Sequence, residues 1–373
     1  MSQLQRLLQL FSNKQTVNIK HQRIHQKPLR GFWQKLIDEK LLKGDTLSVL
    51  APMADVTDSA FRTMIAKYSK PEGPDVMWTE FVSANGLASA GREVLKRDLE
   101  FGNEERPIVA QLFTADPENM KKAAILCREL GFDGIDINMG CPDKGIEKQG
   151  AGAAMIKDWR TAQAVIRAAQ EGAPDLPVSV KTRLGFNKIE IMEWLPKLLE
   201  CNIPVLTVHL RTRKDMSKVD ARWEIMPEVV KLVRGMTGEV KGGGTIILGN
   251  GDVMSVDDGK EKSKKYGCDG VMIGRGIFGT PWLFSVENSQ EYGIENGEYR
   301  ADTKSTEQKL RILVEHTKLF EEKLGDIKSF AIMKKHFKAY VNGFDGAKEL
   351  RMELMECNNA KEVEEKVNLF LLK

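Results

Sequence analysis

The sequence predicts an α/β protein: a (β/α)8 TIM barrel with a C-terminal all-helical domain and a basic N-terminal extension. Eight short apolar runs alternate with helical patterns between residues 46 and 288, which is the strand count of such a barrel. From residue 289 to residue 373 the pattern is charged and helical, without further strands, and no acidic residue precedes Asp38. We therefore divide the chain into a basic extension (1–45), a barrel (46–288) and a helical domain (289–373).

The extension carries seven basic residues before its first acidic one. An acid-free start of this kind is compatible with a loosely ordered arm, an RNA-contacting arm or an organelle-targeting peptide. Because no cleavage signal is clear, we favour the loosely ordered arm and a cytoplasmic protein over the organelle-targeted alternative.

The composition excludes several classes of protein. The net charge of +3 is nearly neutral, so the total charge does not argue for nucleic-acid binding. The five cysteines form neither a CxxC pair nor a Cys/His cluster, so we expect no metal, no disulfide framework and a reducing compartment. No apolar run is long enough to span a bilayer, and we expect no membrane association and a monomer.

The eight predicted strands are separated, in most cases, by enough residues for a crossover helix. They are Leu47–Leu50, Val76–Trp78, Ile108–Leu112, Gly134–Ile137, Val178–Val180, Val205–Val208, Thr245–Leu248 and Gly270–Ile273. A doubly wound sheet is the competing architecture, but it usually carries a glycine fingerprint after its first strand. Here the first strand is followed by Ala51-Pro52-Met53-Ala54-Asp55, which contains no glycine, and we favour the barrel.

Polar side chains occur at the end of almost every predicted strand, where barrel enzymes carry their catalytic groups. They are Glu80, Gln111, Asn138, Lys181 with Arg183, His209 with Arg211, Asn250 with Asp252, and Arg275. One charged residue at a strand end is ordinary in a loop. A series of them on one face of a barrel indicates a site.

Two glycine-rich turns follow the last two strands, Gly249-Asn250-Gly251-Asp252 and Gly274-Arg275-Gly276. Loops at these positions commonly build a phosphate site, because glycines let backbone N–H groups approach the oxygens. Arg275 can add a charge-assisted contact. Glycines also serve plain tight turns, but the paired placement favours a ligand that carries a phosphate.

Flavin mononucleotide (FMN) across the barrel mouth would suit the remaining residues. Lys181 would place a positive charge beside the ring, and His209 and Gln111 would hydrogen-bond its edge. The run Pro52-Met53-Ala54 would offer an apolar and backbone surface. The alternatives are that Lys181 and Arg183 are a solvated pair and that His209 is an ordinary histidine at the barrel rim.

Cys141 stands in the most informative segment, Asp136-Ile137-Asn138-Met139-Gly140-Cys141-Pro142. The segment ends a buried strand, Gly140 gives a turn, and Pro142 stiffens the loop after the thiol. A cysteine taken at random is more often a small buried hydrophobe. An unperturbed thiol has a pKa of about 8.5 and keeps its proton near neutral pH, so Cys141 is a candidate general acid that faces the flavin across a substrate.

These motifs together resemble the tRNA-dihydrouridine synthase family in its FMN-dependent, bacterial-type form. The resemblance runs from about Leu47 to Phe284 and continues more weakly to the C-terminus. Its most diagnostic part is Asp136–Pro142. The other matching segments are Ala51–Asp58 with Phe61-Arg62, Val180–Gly185, Val208–Arg213, Asn250–Asp252, and Met272–Gly276 with Gly279, Pro281 and Trp282.

The resemblance implies an oxidoreductase acting on CH–CH groups, which uses FMN and NADPH to reduce the C5=C6 bond of chosen uridines in tRNA. By that analogy the flavin gives hydride to C6, Cys141 gives a proton to C5, and Asn138, Lys181 and Arg183 hold a flipped uracil. Flipping is required because a stacked base cannot present both faces. The implied cofactor contacts are Pro52, Met53, Ala54, Gln111, Lys181, His209, Asn250, Gly251, Asp252, Gly274 and Arg275.

The C-terminal region predicts four helices. They are Leu310–Leu324, Ile327–Tyr340, Ala347–Cys357 and Ala360–Leu372. The second carries several lysines, and a charge run is usually just a solvated helix face. The resemblance favours a tRNA-binding domain in which Lys334, Lys335 and Lys338 touch phosphates, so that binding would depend on salt.

Two other functions stay open at this point. An FMN-dependent barrel reductase of a small molecule would turn over without RNA, and it leaves the C-terminal helices unexplained. A non-catalytic RNA-binding protein would be expected to have lost Cys141 or Lys181, and both are present.

Overall fold

The computed structural model describes residues 27–285 and 304–373, together with the backbone of residues 294–295 and 298–299. Eight parallel strands form one sheet in the order β1-β8-β7-β6-β5-β4-β3-β2. The strands are β1 (Leu47–Leu50), β2 (Met77–Ser83), β3 (Ile108–Phe113), β4 (Gly134–Met139), β5 (Val178–Arg183), β6 (Val205–His209), β7 (Ile246–Asn250) and β8 (Gly270–Ile273).

The sheet closes between β1 and the segment that enters β2. Leu50 N donates to Val76 O over 3.0 Å, and Asp75 N donates to Ser48 O over 2.9 Å. Every strand thus has a neighbour on both sides, as a barrel requires. The predicted (β/α)8 barrel is confirmed.

The strand β2 extends beyond its predicted end at Trp78. Thr79 and Glu80 are polar, which ended the apolar run, but both are buried. The ladder between β2 and β3 shifts its register between Trp78 and Phe81. This irregularity, which resembles a β-bulge, re-aims the side chain of Glu80 near the barrel mouth.

Helices cover the outside of the barrel. They are α1 (Trp33–Glu39), α2 (Ser59–Ser69), α3 (Ala84–Leu87), α4 (Arg92–Arg97), α5 (Pro117–Glu129), α6 (Lys144–Lys148), α7 (Trp159–Gly172), α8 (Ile191–Leu199), α9 (Met226–Thr237) and α10 (Val256–Tyr266). Short 3₁₀ turns lie at Leu41–Lys43, Asn103–Glu105, Gly152–Lys157, Trp223–Ile225, Val240–Gly242 and Arg275–Ile277. Side-chain caps fix several helix starts; Asp116, for example, accepts from Glu118 N and Asn119 N at the start of α5.

Residues 27–45, the described part of the predicted extension, are folded against the amino end of the barrel. Trp33 and Ile37 in α1 are each 1 % exposed and pack among residues of the barrel core such as Val49. The apolar pair at i and i+4 gives α1 a buried face, and in this segment the structure differs from a loosely ordered arm. Residues 1–26, which carry most of the predicted basic arm, lie outside the described residues.

Within residues 304–373 the structure contains four α-helices: α11 (Thr306–Leu324), α12 (Met333–Tyr340), α13 (Ala347–Glu356) and α14 (Ala360–Leu371). The predicted helix from Ile327 instead opens with a 3₁₀ turn, Phe330–Ile332, because Ser329 caps that turn through Ala331 N. None of the helices within 27–285 and 304–373 is long and apolar enough to cross a membrane.

The prediction of no strands after residue 289 is wrong. Two short strands, β9 (Ile294–Glu295) and β10 (Glu298–Tyr299), pair antiparallel. The two residues between them in the sequence are Asn296-Gly297, a dipeptide typical of two-residue hairpins. The charged surroundings hid this signal, because no alternation of apolar residues accompanies it. The domain boundaries at residues 45 and 288 remain predictions.

The helical domain packs on α2 around two buried histidines. The ring of His316 stacks on Phe61 with 5.0 Å between centroids, and the His336 ring lies 4.6 Å from that of His316. Among the described residues, Nε2 of His316 and both ring nitrogens of His336 have no hydrogen-bond partner. Burial lowers the pKa of His336 to about 3 and holds the pKa of His316 well below its usual range. Both rings are therefore neutral at neutral pH.

We expect this pair to make the fold sensitive to acid. Below the ordinary histidine pKa of about 6.5, the unfolded chain takes up protons that the folded chain does not, so stability falls as the pH decreases. His336→Phe keeps an aromatic ring without a titrating group. Its melting temperature relative to the unmodified protein should therefore be higher at about pH 5.5 than at about pH 8. An identical difference at both pH values in thermal unfolding would contradict this expectation.

Candidate active site

A cavity of about 320 Å³ opens at the carboxyl ends of the barrel strands. Its lining comes from the loops after β1, β4, β5, β6, β7 and β8. The lining includes these predicted site residues: Pro52, Met53, Lys181, Arg183, His209, Asn250, Gly251, Asp252, Gly274 and Arg275. Residues from six separate strand ends thus meet in one place, as the barrel topology requires.

Four predicted site residues of the barrel do not line this cavity. Ala54 is exposed beside it, and Cys141 is half-buried next to the lining residue Pro142. Gln111 is inaccessible inside the barrel, and Asn138 is 8 % exposed. The structure therefore separates the predicted residues into a group on the cavity wall and a group below or beside it.

Asp252 anchors two arginines at the cavity mouth. Its Oδ2 accepts from Arg211 Nη2 over 2.5 Å and from Ala221 N over 2.8 Å, while its Oδ1 accepts from Arg275 Nη2 over 2.5 Å. The side chain of Arg275 remains 62 % exposed, so an incoming anion can reach it. The sequence places Arg211 at a strand end without indicating its partner, and in the structure Arg211 connects the loops after β6 and β7.

The loop after β7 needs a glycine at position 251. Gly251 has a φ of +119°, and a Cβ added there would lie 2.8 Å from Ala221 Cβ and 3.1 Å from His209 Cδ2. The next residue, Asp252, also has a positive φ, at +51°. This backbone is held in a conformation that side chains disfavour, and the sequence signal for it was the Asn-Gly-Asp run.

His209 is a neutral hydrogen-bonding group. Arg211 Nη1 lies 3.2 Å from His209 Nε2. A guanidinium only donates, so Nε2 accepts and the ring proton lies on Nδ1. Burial, followed by the positive charges of the surrounding lysine and arginines, holds the pKa of His209 well below its usual range. Protonation of this ring therefore plays no part near neutral pH.

Lys181, on β5, lines the cavity. Burial, followed by the charge of Arg183, lowers the pKa of Lys181 to about 8. Asp136 below it acts in the opposite direction. In the described part of the chain, the ammonium has no hydrogen bond or ion pair, so it is available to an anionic ligand.

Arg183 connects two loops around the cavity. Its Nε donates to Gly140 O over 2.6 Å, and its Nη1 lies 3.2 Å from both Thr212 O and Met216 O. Burial lowers the pKa of Arg183 to about 10, so the group stays charged at neutral pH. Arg183 thus holds the loop of Cys141 against the loop after β6.

The loop of Cys141 is held from both sides. Asn138 Oδ1 accepts from Gly140 N over 3.1 Å and from Cys141 N over 2.9 Å, while Cys141 O accepts from Ala153 N over 2.9 Å. A Cβ on Gly152 would lie 2.8 Å from Cys141 O. Burial raises the pKa of the Cys141 thiol, so the thiol carries its proton at neutral pH.

Cys141 differs from the other four cysteines in exposure. The other four, Cys127, Cys201, Cys268 and Cys357, are buried, and all five are free thiols. Within residues 27–285 and 304–373, no group of three or more His, Cys, Asp or Glu side chains could hold a metal ion. The accessible thiol is therefore the one at the barrel mouth.

The lysine-bearing helix α12 lies beside the same mouth. Lys335 Nζ donates to Asp55 Oδ2 over 3.1 Å, and Lys328 Nζ donates to Glu80 Oε2 over 2.6 Å. Glu80 Oε1 in turn accepts from Asp55 N over 2.5 Å, which ties the helical domain to the loop after β1. Of the predicted phosphate-binding lysines, Lys334 is half-buried, and Lys335 and Lys338 are exposed.

The comparisons with known proteins agree with these motifs. The family model for dihydrouridine synthase (Dus) matches residues 49–372. A probable tRNA-dihydrouridine synthase of Staphylococcus epidermidis is 38 % identical over 325 residues, which cover 86 % of this chain and 93 % of that protein. The probable tRNA-dihydrouridine synthase 2 of Bacillus subtilis is 38 % identical over 318 residues, covering 84 % of this chain and 91 % of its own length.

Among solved structures, the old yellow enzyme homologue of Zymomonas mobilis aligns with a TM-score of 0.40 and 12 % identity, covering 63 % of this chain and 85 % of that one. The family match spans most of the chain, from β1 to the end of α14. It includes the segment Asp136–Pro142 and every strand end that lines the cavity. The resemblance read from the sequence is confirmed: the chain belongs to the dihydrouridine synthase family.

Proposed function

We propose that this protein is a tRNA-dihydrouridine synthase that reduces the C5=C6 bond of particular uridines in tRNA, with FMN as cofactor and NADPH as reductant. The observation that carries the proposal is one cavity at the barrel mouth that combines a phosphate-type loop pair with a lysine that has no partner in the described residues, while the accessible thiol of Cys141 lies next to the lining residue Pro142. Membership of the family and the printed names of the two relatives support the same substrate.

The cavity residues fit FMN. The volume of the cavity, about 320 Å³, lies at the lower end of the range for ligand pockets, and the cavity is open to solvent at its mouth. The nearest atoms to a Cβ added on Gly274 would be Met53 Sδ at 3.6 Å and Ala51 Cβ at 3.7 Å, so the backbone of this loop can be approached. Arg275 beside it supplies charge for a phosphate.

The ring of FMN would lie between two kinds of group. Pro52 and Met53 offer an apolar surface on the β1 side of the cavity. His209 and Lys181 face it from β6 and β5 and can hydrogen-bond or neutralise charge on the ring edge. When bound, FMN supplies the reducing equivalents for C6 of the uracil, which it receives from NADPH.

Cys141 donates the proton to C5 in this proposal. Its raised pKa keeps the thiol protonated before reaction, which a general acid needs. After transfer, the thiolate is stabilised by the positive charges of Lys181 and Arg183, both of which lower the pKa of Cys141. The uracil gains one hydrogen at C6 and one at C5, so the ring loses its double bond.

A single-turnover experiment tests the proposal. The protein, loaded with FMN, is reduced with one equivalent of NADPH without oxygen and mixed with either an unmodified tRNA transcript or free uridine. We expect the yellow absorbance of the flavin to return with tRNA and to stay bleached with uridine. Rapid return with a small enone but not with tRNA would favour the small-molecule reductase instead.

The lysines of α12 give a second expectation. Replacing Lys334, Lys335 and Lys338 by alanine should weaken tRNA binding. The slope of the logarithm of the binding constant against the logarithm of the salt concentration should become shallower by about 0.9 for each duplex phosphate contact that is lost. The ion pair of Lys335 with Asp55 is exposed, so its loss costs little stability. Lys361→Ala is the matched control, since Lys361 is 85 % exposed on a different helix, α14.

Binding is measured by titration of tRNA at several salt concentrations. Oxidation of NADPH by the bound flavin should be the same in the triple variant, the control and the unmodified protein. An unchanged affinity and slope in the triple variant would remove α12 from the tRNA-binding surface.

A further inference from the structure

A series of buried polar side chains runs inside the barrel to the loop of Cys141. Ser179 Oγ donates to Asp136 Oδ1 over 2.6 Å, and Gln111 Nε2 donates to Asp136 Oδ2 over 2.6 Å. Asn138 Nδ2 then donates to Gln111 Oε1 over 3.0 Å. The far end of the series is Asn138 Oδ1, which accepts from the backbone N–H groups of Gly140 and Cys141.

The side chains of this series are enclosed. Asp136 and Gln111 are 0 % exposed, Ser179 is 2 % exposed and Asn138 is 8 % exposed. A donor or acceptor that lacks a partner here cannot bond to water instead, so it destabilises the fold by the full desolvation penalty of a buried polar group. The pKa of Asp136 is raised by burial to about 6, so the carboxyl group is mostly ionised at neutral pH.

The two ends of the series determine the direction in which its hydrogen bonds are donated. An ionised carboxylate only accepts hydrogen bonds and a backbone N–H only donates, whereas each amide side chain has one accepting and one donating end. Asp136 therefore turns the NH₂ of Gln111 toward itself and leaves the oxygen of Gln111 for Asn138. Asn138 in turn points its NH₂ at Gln111 and its oxygen at the loop of Cys141.

We propose that Asp136 is a positioning residue that acts through Gln111 and Asn138: it fixes the orientation of both amides and thereby holds the Cys141 loop in place. The inference deepens the proposed function, because the loop carries the proposed proton donor. Asp136 itself touches neither the cavity nor the thiol. Its influence on the loop passes through the orientation of the two amides, and its charge acts separately on Lys181.

Asn138→Asp tests this transmission. The new carboxylate still accepts from the loop N–H groups, but its other oxygen faces the oxygen of Gln111, whose only NH₂ is committed to Asp136. Two acceptors then compete for one donor, and we expect the loop to loosen.

Asp136→Asn alone should have little effect, because the new amide can accept from Gln111 and donate to the Ser179 hydroxyl.

The double variant Asn138→Asp/Asp136→Asn should recover the loop. The NH₂ of the new amide at position 136 donates to the Gln111 oxygen, and the Gln111 NH₂ turns to the carboxylate at position 138. Each acceptor again has a donor, with the direction of the series reversed. Asn138→Asp/Ser179→Ala is the matched control, because it leaves the carboxylate of Asp136 unchanged and should not recover the loop.

The readout is alkylation of the native, full-length protein by iodoacetamide, which reports on Cys141 because the other four cysteines are buried. We expect Asn138→Asp to alkylate about tenfold faster than the double variant across the alkaline range, since a loosened loop exposes the thiol. These two variants carry the same charge at position 138 but differ in charge at position 136, so their rates are compared on the alkaline plateau, where the thiol is deprotonated in both. The measurement uses neither tRNA nor NADPH, so it is independent of the proposed reaction.

Rescue by Asp136→Asn but not by Ser179→Ala supports the inference. Additive effects of the changes at positions 136 and 138, or equal rescue by both second changes, would overturn it. If Asn138→Asp does not fold alone, the soluble yield and melting temperature of the two double variants give the same comparison. In that case, recovery only in the Asn138→Asp/Asp136→Asn variant supports the inference. Equal yields and melting temperatures in the two double variants would overturn it.

Discussion

Replacement of Cys141 by alanine is expected to lower the rate of uridine reduction in tRNA by a factor of about 10² to 10⁴ while FMN stays bound. This range is what a positioned general acid typically contributes. The backbone bonds that hold the loop, from Asn138 Oδ1 to Cys141 N and from Ala153 N to Cys141 O, do not use the thiol. The loop should therefore keep its shape, and the loss should appear in the chemical step.

The pH dependence adds a second signature for Cys141. Because its pKa is raised, the unmodified protein should keep its activity through neutral pH and lose it only where the thiol deprotonates, above the ordinary thiol range of about 8.5. The Cys141→Ala variant should lack this alkaline decrease.

Single-turnover product formation is the appropriate measurement for this variant. Cys201→Ala is the control, since Cys201 is buried beyond the end of α8 and should affect stability without affecting the reaction. Rates for Cys141→Ala equal to those of the unmodified protein would refute its role as the acid.

Replacement of Lys181 by methionine is expected to weaken FMN binding and to slow uridine reduction by a factor of about 10² to 10³. This range is the cost of removing one preorganised charge stabiliser from an active site. Methionine keeps most of the side-chain volume, so the change isolates the charge. The ammonium of Lys181 has no ion pair that would be left unsatisfied within the described residues, and its removal should not unfold the barrel.

The pH dependence of FMN binding checks the same residue. The pKa of Lys181 is lowered to about 8 in the ligand-free protein. Its positive charge is therefore complete below that pH and is lost as the pH rises through it, so FMN affinity should fall over this interval. In Lys181→Met the affinity should be lower and should not change in the same interval.

Quenching of flavin fluorescence measures this affinity. Lys188→Met is the matched control, because Lys188 is exposed in the loop that follows the same strand, β5. Equal FMN affinity and equal rates in Lys181→Met and the unmodified protein would show that the charge has no role at the site.

The barrel was predictable because each strand contains an apolar run and almost every strand end carries a polar residue. The exceptions have physical causes. The strand β2 continues through Thr79 and Glu80, because a strand buried on both faces can carry polar residues that find partners inside. Trp33 and Ile37 of α1 belong to a segment whose basic charge concealed two core side chains.

Most of the cavity lining was also predictable, because strand ends of one barrel must converge. The supporting contacts were not. The ion pair between Glu80 and Lys328 joins residues 248 positions apart, and the series from Asp136 to Asn138 depends on which face of a strand each side chain occupies. A single sequence shows the polar residue Asp136 in the apolar run of β4, but it does not show which side chains hydrogen-bond to it.

Parts of the family motif serve the fold rather than the reaction. Phe61 packs on His316, and Arg62 forms an ion pair of 2.6 Å with Glu105 in which both side chains are 0 % exposed. Breaking such a buried pair is strongly destabilising. Phe61 and Arg62 therefore match the family motif because they hold the helical domain and the loops on α2.

The most direct test of the central claim is to map dihydrouridine along an unmodified tRNA transcript after incubation with the FMN-loaded protein and NADPH. Mass spectrometry of the nuclease fragments locates each added pair of hydrogens. We predict product at particular uridines of the tRNA and none in an equal concentration of free uridine. A protein that oxidises NADPH through its flavin but leaves every uridine of the tRNA unchanged would contradict the proposed function.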